Sequence, residues 1–242
     1  QPSLYLGTGG AEGTTESEGK PKPLVFGRCR NVTPLLIDPA TLVYQLHDGS
    51  IAGVDDVFDR GAALTYDAAD YVDYAALAAA SVSAGNFTTA LSVGMLKLGS
   101  LPAGLVTVDL RGDSTGGYTD SIDTILLRLL TRAGFPPAFV DSGGWSTVAP
   151  VTTEVGYVIS HTETPSAADA IERLVSSVGG WWGAGRDGWL RGGRLPPPET
   201  RSPVLSLDPY DLLSLEPLPA PPPRWRQRVA YQPNWTPQRG ED

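Results

Sequence analysis

Residues 24–44 read LVFGRCRNVTPLLIDPATLVY, and the prediction of a β-rich fold starts from their pattern. They hold three short apolar runs, Leu24–Phe26, Leu35–Ile37 and Leu42–Tyr44, separated by Gly, Asn-Val-Thr-Pro and Asp-Pro. Runs this short between turn-forming residues are typical of β-strands. Asp59-Arg60-Gly61 suits a hairpin loop, and further strands are predicted at 54–58, 62–66, 87–92, 95–98 and 105–110. Residues 24–112 are therefore predicted to form a β-rich domain.

One helix is expected inside this β-rich domain, over residues 67–80. Asp67 is a suitable N-cap, further acids lie near the start, and the segment ends in Ala-Ala-Leu-Ala-Ala-Ala. Acids at the start and alanines at the end agree with helix capping and helix propensity.

Beyond the domain boundary predicted at Gly112–Gly117, residues 113–195 are expected to form an α+β module in the order helix, strand, helix, hairpin. The first helix has apolar residues at helical spacing from Ile122 to Ala133, Thr119 as its cap, and Gly134 and Pro136 after its end.

A strand over Val155–Ser160 precedes the second helix of the module. Thr164 is its predicted cap and Pro165 lies in its first turn. Asp187-Gly188 then predicts a hairpin between a Trp-rich strand and a second strand that begins at Trp189. The predicted apolar stripe of the second helix consists of Ala168, Ile171, Leu174, Val175 and Val178.

Both ends of the chain are predicted to be connections. Residues 1–23 are rich in Gly, Thr and Glu and are expected to be an extended entry segment with little core of its own. Residues 196–242 are expected to be a Pro-rich connector with a strand at 204–207 and a terminal strand at 225–231. The first residue is Gln1 and the single methionine is Met95, so we expect the chain to be part of a longer protein.

Composition limits the possible classes of protein. The 242 residues include 28 Gly and 22 Pro, too many chain breakers for a helix bundle, while 41 % hydrophobic residues can build a sizeable core. A single cysteine, Cys29, excludes an internal disulfide framework. The net charge of −9 argues against a duplex-binding surface. We expect no membrane segment and no signal peptide.

One motif resembles a catalytic site. Gly112-Asp113-Ser114-Thr115-Gly116-Gly117 is similar to the sequence around the nucleophile of trypsin-like proteases, and His47 precedes it in the matching order. Thr115 is an insertion in that motif and alters the geometry that an oxyanion hole needs. We therefore interpret the segment as a joining loop. Arg111-Gly112-Asp113 is likewise interpreted as the end of a strand, and not as an integrin-type motif.

Two other kinds of site are weighed against structural roles. The acids from Asp48 to Asp73 could bind calcium, but their spacing fits no EF-hand-like loop and favours a solvated acidic face. Asp141 beside Trp145 and Asp187 beside Trp189 could be glycosidase carboxylates with tryptophans as sugar platforms. The favoured interpretation is that Trp181, Trp182 and Trp189 pack the second helix against the hairpin. We assign no catalytic, cofactor-binding or metal-binding residue. The acidic patch comprises Asp48, Asp55, Asp56, Asp59, Asp67, Asp70 and Asp73.

A resemblance to a known family supplies what these motifs do not. Residues 20–39 (KPKPLVFGRCRNVTPLLIDP), 42–49 (LVYQLHDG) and 94–112 (GMLKLGSLPAGLVTVDLRG) resemble segments of tail proteins from long-tailed bacteriophages and prophages. The segments 167–182 and 188–195 are similar to the same family and to the α+β module of baseplate hub proteins. The resemblance extends from about residue 4 to residue 235 and includes no catalytic signature.

The resemblance implies a structural, non-enzymatic virion component at the tail tip or baseplate. It implies a hub-type protein, a homotrimer within the tail, that joins tail tube, baseplate ring and fibres. DNA would pass through its lumen without sequence-specific binding, and the acidic patch is expected to line that lumen. Two alternatives remain: a carbohydrate- or receptor-binding tail module with exposed tryptophans, and a cell-wall hydrolase that depends on an acid or on Ser114.

Overall fold

A computed structural model describes residues 3–148 and 154–194, together with Ser202, Asp208, Tyr210 and Ser214 individually. The strands predicted at 204–207 and 225–231 and both Pro-rich stretches lie outside these described residues. In chain order, the strands are β1 Leu24–Val32, β2 Leu35–Asp38, β3 Val43–Gln45, β4 Ile51–Asp59, β5 Ala62–Ala63, β6 Thr65–Asp70, β7 Asn86–Ala90, β8 Met95–Leu98, β9 Val106–Asp113, β10 Gly156–Ile159, β11 Gly180–Ala184 and β12 Leu190–Arg194.

Four α-helices accompany these strands in the described residues. They are α1 Tyr74–Ala79, α2 Ile122–Arg132, α3 Ser142–Trp145 and α4 Ala167–Ser177. Short 3₁₀ helices lie at Gly10–Glu12, Thr15–Ser17, Leu91–Val93 and Pro137–Phe139. The chain is therefore a β-rich α+β protein, as the sequence predicted.

The first sheet has five antiparallel strands in the order β10-β1-β9-β4-β5. The hairpin predicted at Asp59-Arg60-Gly61 is confirmed, since Phe58 pairs with Ala63 and Asp59 with Ala62. Val25 and Phe26 point to opposite faces of the sheet, as alternation along a strand requires. Val25 belongs to the buried cluster shared with the second sheet, and Phe26 packs against α2 and α4.

The second sheet has the order β2-β3-β8-β7-β6. One of its faces packs on the first sheet through residues such as Tyr44, Phe87 and Leu96. Its other face holds Val43 and Met95 in a smaller cluster, which Leu77 of α1 covers. The layers are therefore helices α2 and α4, the first sheet, the second sheet, and α1.

The helix predicted over 67–80 is wrong in its first half. Residues 65–70 form β6, which pairs in parallel with β7, and the helix covers only Tyr74–Ala79. Asp73 is its N-cap and accepts a hydrogen bond from the Ala76 amide at 2.8 Å. Pairing with β7 overrides the helix propensity of Asp67–Ala69, because propensity is a weak signal next to tertiary contacts.

The predicted helix–strand–helix–hairpin order from residue 113 onward is confirmed, but the module shares a sheet with the preceding segment. β9 continues through Gly112 to Asp113, inside the expected boundary segment. β10 pairs with Leu24–Gly27 of β1 and so becomes an edge strand of the first sheet. The segments 24–112 and 113–195 are joined by these backbone hydrogen bonds.

Both helices of the module begin two residues later than predicted, so their N-cap residues differ from the predicted ones. Thr119 accepts a hydrogen bond from the Ser121 amide before the helix, and Ser121 is the N-cap position of α2. α4 begins after Ser166, whose hydroxyl accepts from the Asp169 amide while the Asp169 carboxylate accepts from the Ser166 amide, each at 3.1 Å. This reciprocal capping box satisfies two backbone donors, and Thr164 satisfies neither. Ala170, and not the exposed Ala168, completes the buried stripe of α4.

The entry segment is not simply extended. Its two 3₁₀ turns fold back so that Leu4 bridges Pro21, and the Tyr5 amide donates to the Lys20 carbonyl at 3.0 Å. Tyr5 is only 1 % exposed and lies in the cluster with Ile37 and Leu77. The segment has no separate core and contributes one large side chain to the second sheet.

Candidate functional sites

Of the protease-like motif, Asp113 lies beside His47, in a structural arrangement. His47 follows β3 and is completely buried. Its Nδ1 accepts a hydrogen bond from the Val25 amide at 2.9 Å, and its Nε2 stands 3.5 Å from Asp113 Oδ1. Because Nδ1 is an acceptor, the imidazole carries its proton on Nε2, facing the carboxylate.

Asp113 is the centre of this buried group. Arg128 of α2 donates to its carboxylate at 3.0 Å and to its backbone carbonyl at 2.9 Å, and the Thr115 hydroxyl donates at 2.7 Å. Burial by itself would raise the pKa of Asp113, but interactions with His47 and hydrogen bonds from Thr115 outweigh it and lower the pKa well below its usual range. The group joins β9 to the loop after β3 and to α2.

Ser114 lies outside the imidazole's hydrogen bonds. Its hydroxyl shares a hydrogen bond with the Ser50 hydroxyl at 2.9 Å, and its amide donates to the Ser50 carbonyl. His47 faces the Val25 amide and Asp113 instead. Ser114 and His47 therefore lack the nucleophile–base contact that acyl transfer needs. The interpretation of Arg111-Gly112-Asp113 as a strand end is confirmed, because all three residues lie in β9 and Asp113 is buried.

The acidic patch does not form one solvated face. Asp55 of β4 pairs with Arg28 and Arg111, at 3.3 and 3.1 Å, while Asp48 lies 3.5 Å from Arg132. Asp59 accepts from the backbone amides of Ala103 and Gly104. The acids disperse because β4 and β6 belong to different sheets. Among the described residues, no cluster of three or more His, Cys, Asp or Glu could hold a metal ion.

The remaining acids of the patch also have local roles. Asp70 accepts from the Leu91 amide and the Thr89 hydroxyl, Asp67 from the Asn86 side-chain amide, and Asp73 caps α1. Asp56 is exposed on β4. Most acids of the acidic patch thus stabilise turns and strand ends through hydrogen bonds and ion pairs.

The first proposed carboxylate–tryptophan pair is structural. Asp141 caps α3 by accepting from the Gly144 amide at 3.2 Å. Trp145 is 1 % exposed and donates through its indole nitrogen to the Leu190 carbonyl at 3.2 Å. Its ring lies against Gly192, where any Cβ would come within 3.0 Å of it. Trp145 was not predicted to be the core residue beneath the hairpin, and the Gly192-Gly193 pair opposite the tryptophans is the sequence signal that indicates this role.

The second pair lies at the hairpin turn. Asp187 forms a two-pronged ion pair with Arg191, at 2.6 and 3.3 Å, and accepts from the Trp189 amide. The Trp189 amide and the Arg191 side chain lower the pKa of Asp187. The predicted hairpin is confirmed, with Gly180 to Ala184 in register with Arg194 to Leu190.

The packing interpretation of the hairpin tryptophans is right for Trp182 and wrong for the other two. Trp182 packs on the core of the module and donates to Glu172 of α4 at 2.6 Å. Trp181 and Trp189 remain 46 % and 40 % exposed. Adjacent residues of a strand point to opposite faces, so Trp181 and Trp182 could not both pack inward.

Two grooves lie beside α4. One, of about 420 Å³, is lined by Glu163, Asp169 and Arg173 among others, and the second, of about 530 Å³, lies between Lys22, Arg132 and Ala170. Lys22 is already paired with Glu12 at 2.9 Å. The Asp169 carboxylate beside the first groove and the Ser166 hydroxyl beside the second belong to the capping box of α4.

The single thiol is not poised for chemistry. Cys29 is 1 % exposed, and burial raises its pKa to about 12. A thiol with so high a pKa stays protonated and is a poor nucleophile.

No helix in the described part of the chain combines the length and the apolar character that a bilayer crossing requires. Comparisons with protein-family models, with curated proteins and with solved structures found no match to this chain.

Proposed function

We propose that this chain is a structural component of a bacteriophage tail tip or baseplate, of the hub type. It acts by binding neighbouring tail proteins and performs no catalysis. The proposal is supported by where the family-like segments lie in the fold. Residues 20–39 supply β1 and β2, residues 42–49 supply β3 and His47, and residues 94–112 supply β8 and nearly all of β9. The resemblance therefore falls on the framework of both sheets.

The joining of the α+β module to the first sheet also supports this role. Backbone hydrogen bonds between β1 and β10, and a buried cluster containing Phe26, Leu126 and Ile171, bind the module firmly to the sheet. A part that transmits load between a tube and a ring needs such a joint, because close-packed protein interiors deform little.

The proposed partners are other tail and baseplate proteins and two further copies of this chain. β6 offers one surface for such contacts. It is an edge strand of the second sheet, and five of its six residues are exposed. Edge strands present unpaired backbone groups that can accept a strand from a neighbour.

The C-terminal segment is the second proposed contact. Residues 217–223 contain five prolines and residues 225–231 alternate apolar with polar side chains, a pattern that suits a stiff arm ending in a strand that adds to a neighbour.

Deletion of residues 217–242 tests whether the C-terminal segment binds neighbouring tail proteins. We expect the shortened chain to fold, because the buried clusters of the described residues lie between Tyr5 and Leu190, and to fail to enter tail particles in a complementation assay. A matched control replaces 217–223 with a flexible Gly/Ser segment of equal length and keeps the terminal strand. Normal incorporation of the deleted chain, with unchanged thermal unfolding, would contradict the proposed arm.

A further inference from the structure

The hairpin β11–β12 has an inner and an outer face of different chemistry. The inner face carries Trp182 and Leu190, both packed on the core of the module, and Gly192 against Trp145. Alternation along the strands places the neighbouring residues on the other side. The outer face then consists of two tryptophans, one arginine and three glycines: Trp181, Gly183, Gly185, Trp189, Arg191 and Gly193.

Each outer tryptophan is supported on one side by the protein and open on the other. A Cβ built on Gly193 would lie 3.1–3.2 Å from three atoms of the Trp181 indole, so this ring lies across the strand. Trp189 is held edge-on by Phe139, with ring centroids 6.5 Å apart at 71°. With 46 % and 40 % of their surfaces exposed, the two indoles offer fixed aromatic surfaces to solvent.

The strand surface between the two tryptophans is open at Gly183 only. A Cβ added to Gly183 would meet no atom within 4 Å. At Gly185, opposite Trp189, an added Cβ would overlap the Asp187 carboxylate and the Arg191 guanidinium, so this ion pair covers that end of the surface. Arg191 lies beside Gly183, and its charge is matched by Asp187. Trp181 and the position opposite Trp189 are four residues apart on one strand, a distance of ~13 Å at the usual rise.

We propose that this outer face binds a neutral oligosaccharide. Sugar rings present C–H faces that stack on aromatic rings and hydroxyls that bond to planar polar groups, and binding sites usually combine aromatic walls with a few placed polar groups. The Arg191–Asp187 pair supplies donors and acceptors with no net charge, which favours an uncharged ligand. The ~13 Å between the two backbone positions suits a chain of several sugars.

The test is calorimetric titration of the full-length chain with cellotetraose, chitotetraose and maltotetraose. We expect at least one of these tetrasaccharides to bind, and Trp181→Ala and Trp189→Ala each to weaken that binding at least tenfold. Trp181→Tyr should retain most of it, because the tyrosine ring can still stack. Tyr118→Ala removes an aromatic residue exposed to a similar degree, 37 %, elsewhere on the protein, and should have no effect.

Gly183→Val distinguishes a specific loss of sugar binding at the outer face from a general loss of folding. A Cβ added to Gly183 meets no atom within 4 Å, and valine favours a strand, so the melting temperature should be unchanged or higher. The valine side chain would nevertheless stand on the strand surface between the two tryptophans and reduce binding at least tenfold.

Three results would overturn the proposal. They are no binding of any of the three tetrasaccharides at millimolar concentration, unchanged binding in Gly183→Val, and binding that survives both tryptophan substitutions. Concentration-dependent self-association that Trp181→Ala abolishes, without sugar binding, would identify a protein interface instead. The proposal does not depend on the tail role.

Discussion

Gly27 is the residue at which β1 changes its pairing partner. Leu24–Gly27 pair with β10, and Arg28 begins the pairing with β9. Gly27 has φ = +65°, and a Cβ there would overlap the Val155 carbonyl. A left-handed conformation costs an ordinary residue about 1–2 kcal/mol, and the overlap adds to this cost.

We therefore expect Gly27→Ala to lower the free energy of unfolding by more than about 3 kcal/mol. Gly85→Ala is the matched control, because Gly85 has φ = +80° and open space around its Cβ position, and it should cost only about 1–2 kcal/mol. Urea unfolding of both variants measures the difference. Equal losses would show that the β1–β10 contact is not as close as described.

The buried carboxylate of Asp113 makes stability depend on pH. Its pKa lies below the value of about 3.9 expected in the unfolded chain. Its ionised form therefore stabilises the fold fully above about pH 5, and this stabilisation is lost as pH falls below about 4. Asp113→Asn should cost about 2 kcal/mol at pH 7, because Arg128 loses its ionic partner.

Urea unfolding at pH 7 and pH 3 tests this expectation. The difference in stability between the wild-type chain and Asp113→Asn should narrow at pH 3. Asp56→Asn makes the same change at an exposed position of β4 and should have little effect at either pH. A constant difference across this range would exclude the ionised carboxylate as the source of the stabilisation.

At the scale of single residues, the sequence reveals residue types but not their partners. Asp113 and His47 were singled out because of a protease-like order, and they do meet, but as a buried pair fixed by Arg128. The sequence does not show that Arg128 reaches Asp113, because that contact depends on where α2 packs. The exposed position of Trp181 could have been inferred from its neighbour Trp182, once a strand was assumed.

At the scale of elements, the capping box of α4 offers a direct comparison. Ser166→Ala removes the acceptor for the Asp169 amide and should destabilise the fold by about 1 kcal/mol. Thr164→Ala changes the residue that sequence pattern alone favoured as the cap and should cost less than half as much. Thermal unfolding of the two variants decides between the two caps, and a larger loss in Thr164→Ala would contradict the boundary of α4.

Strands and helices with strong periodicity were predictable, and their pairing was not. The pattern of Ile122, Ile125, Leu126, Leu129 and Leu130 identified α2, and all five residues are buried. Thr65–Asp70 was partly assigned to a helix because Asp and Ala are ambiguous there, whereas its strand form depends on pairing with β7. This parallel pairing joins segments about twenty residues apart, so the residues within one segment do not predict it.

At the scale of the whole molecule, the net charge of −9 predicts how the chain behaves towards DNA. An acidic protein in a tail should let DNA pass without holding it. We expect no shift of duplex DNA in a gel mobility assay, even at low salt, where any electrostatic binding is strongest. Retention of duplex DNA at low salt would indicate a basic surface and would contradict a passive lumen.

Immunogold electron microscopy shows whether this chain is part of a phage tail tip, with an antibody raised against the chain and applied to tailed particles induced from the host that encodes it. We predict gold at the tip or baseplate of the tail, and none on capsids. Particles that carry no label along the tail, in a preparation where the antibody detects the chain elsewhere, would contradict the proposed tail role.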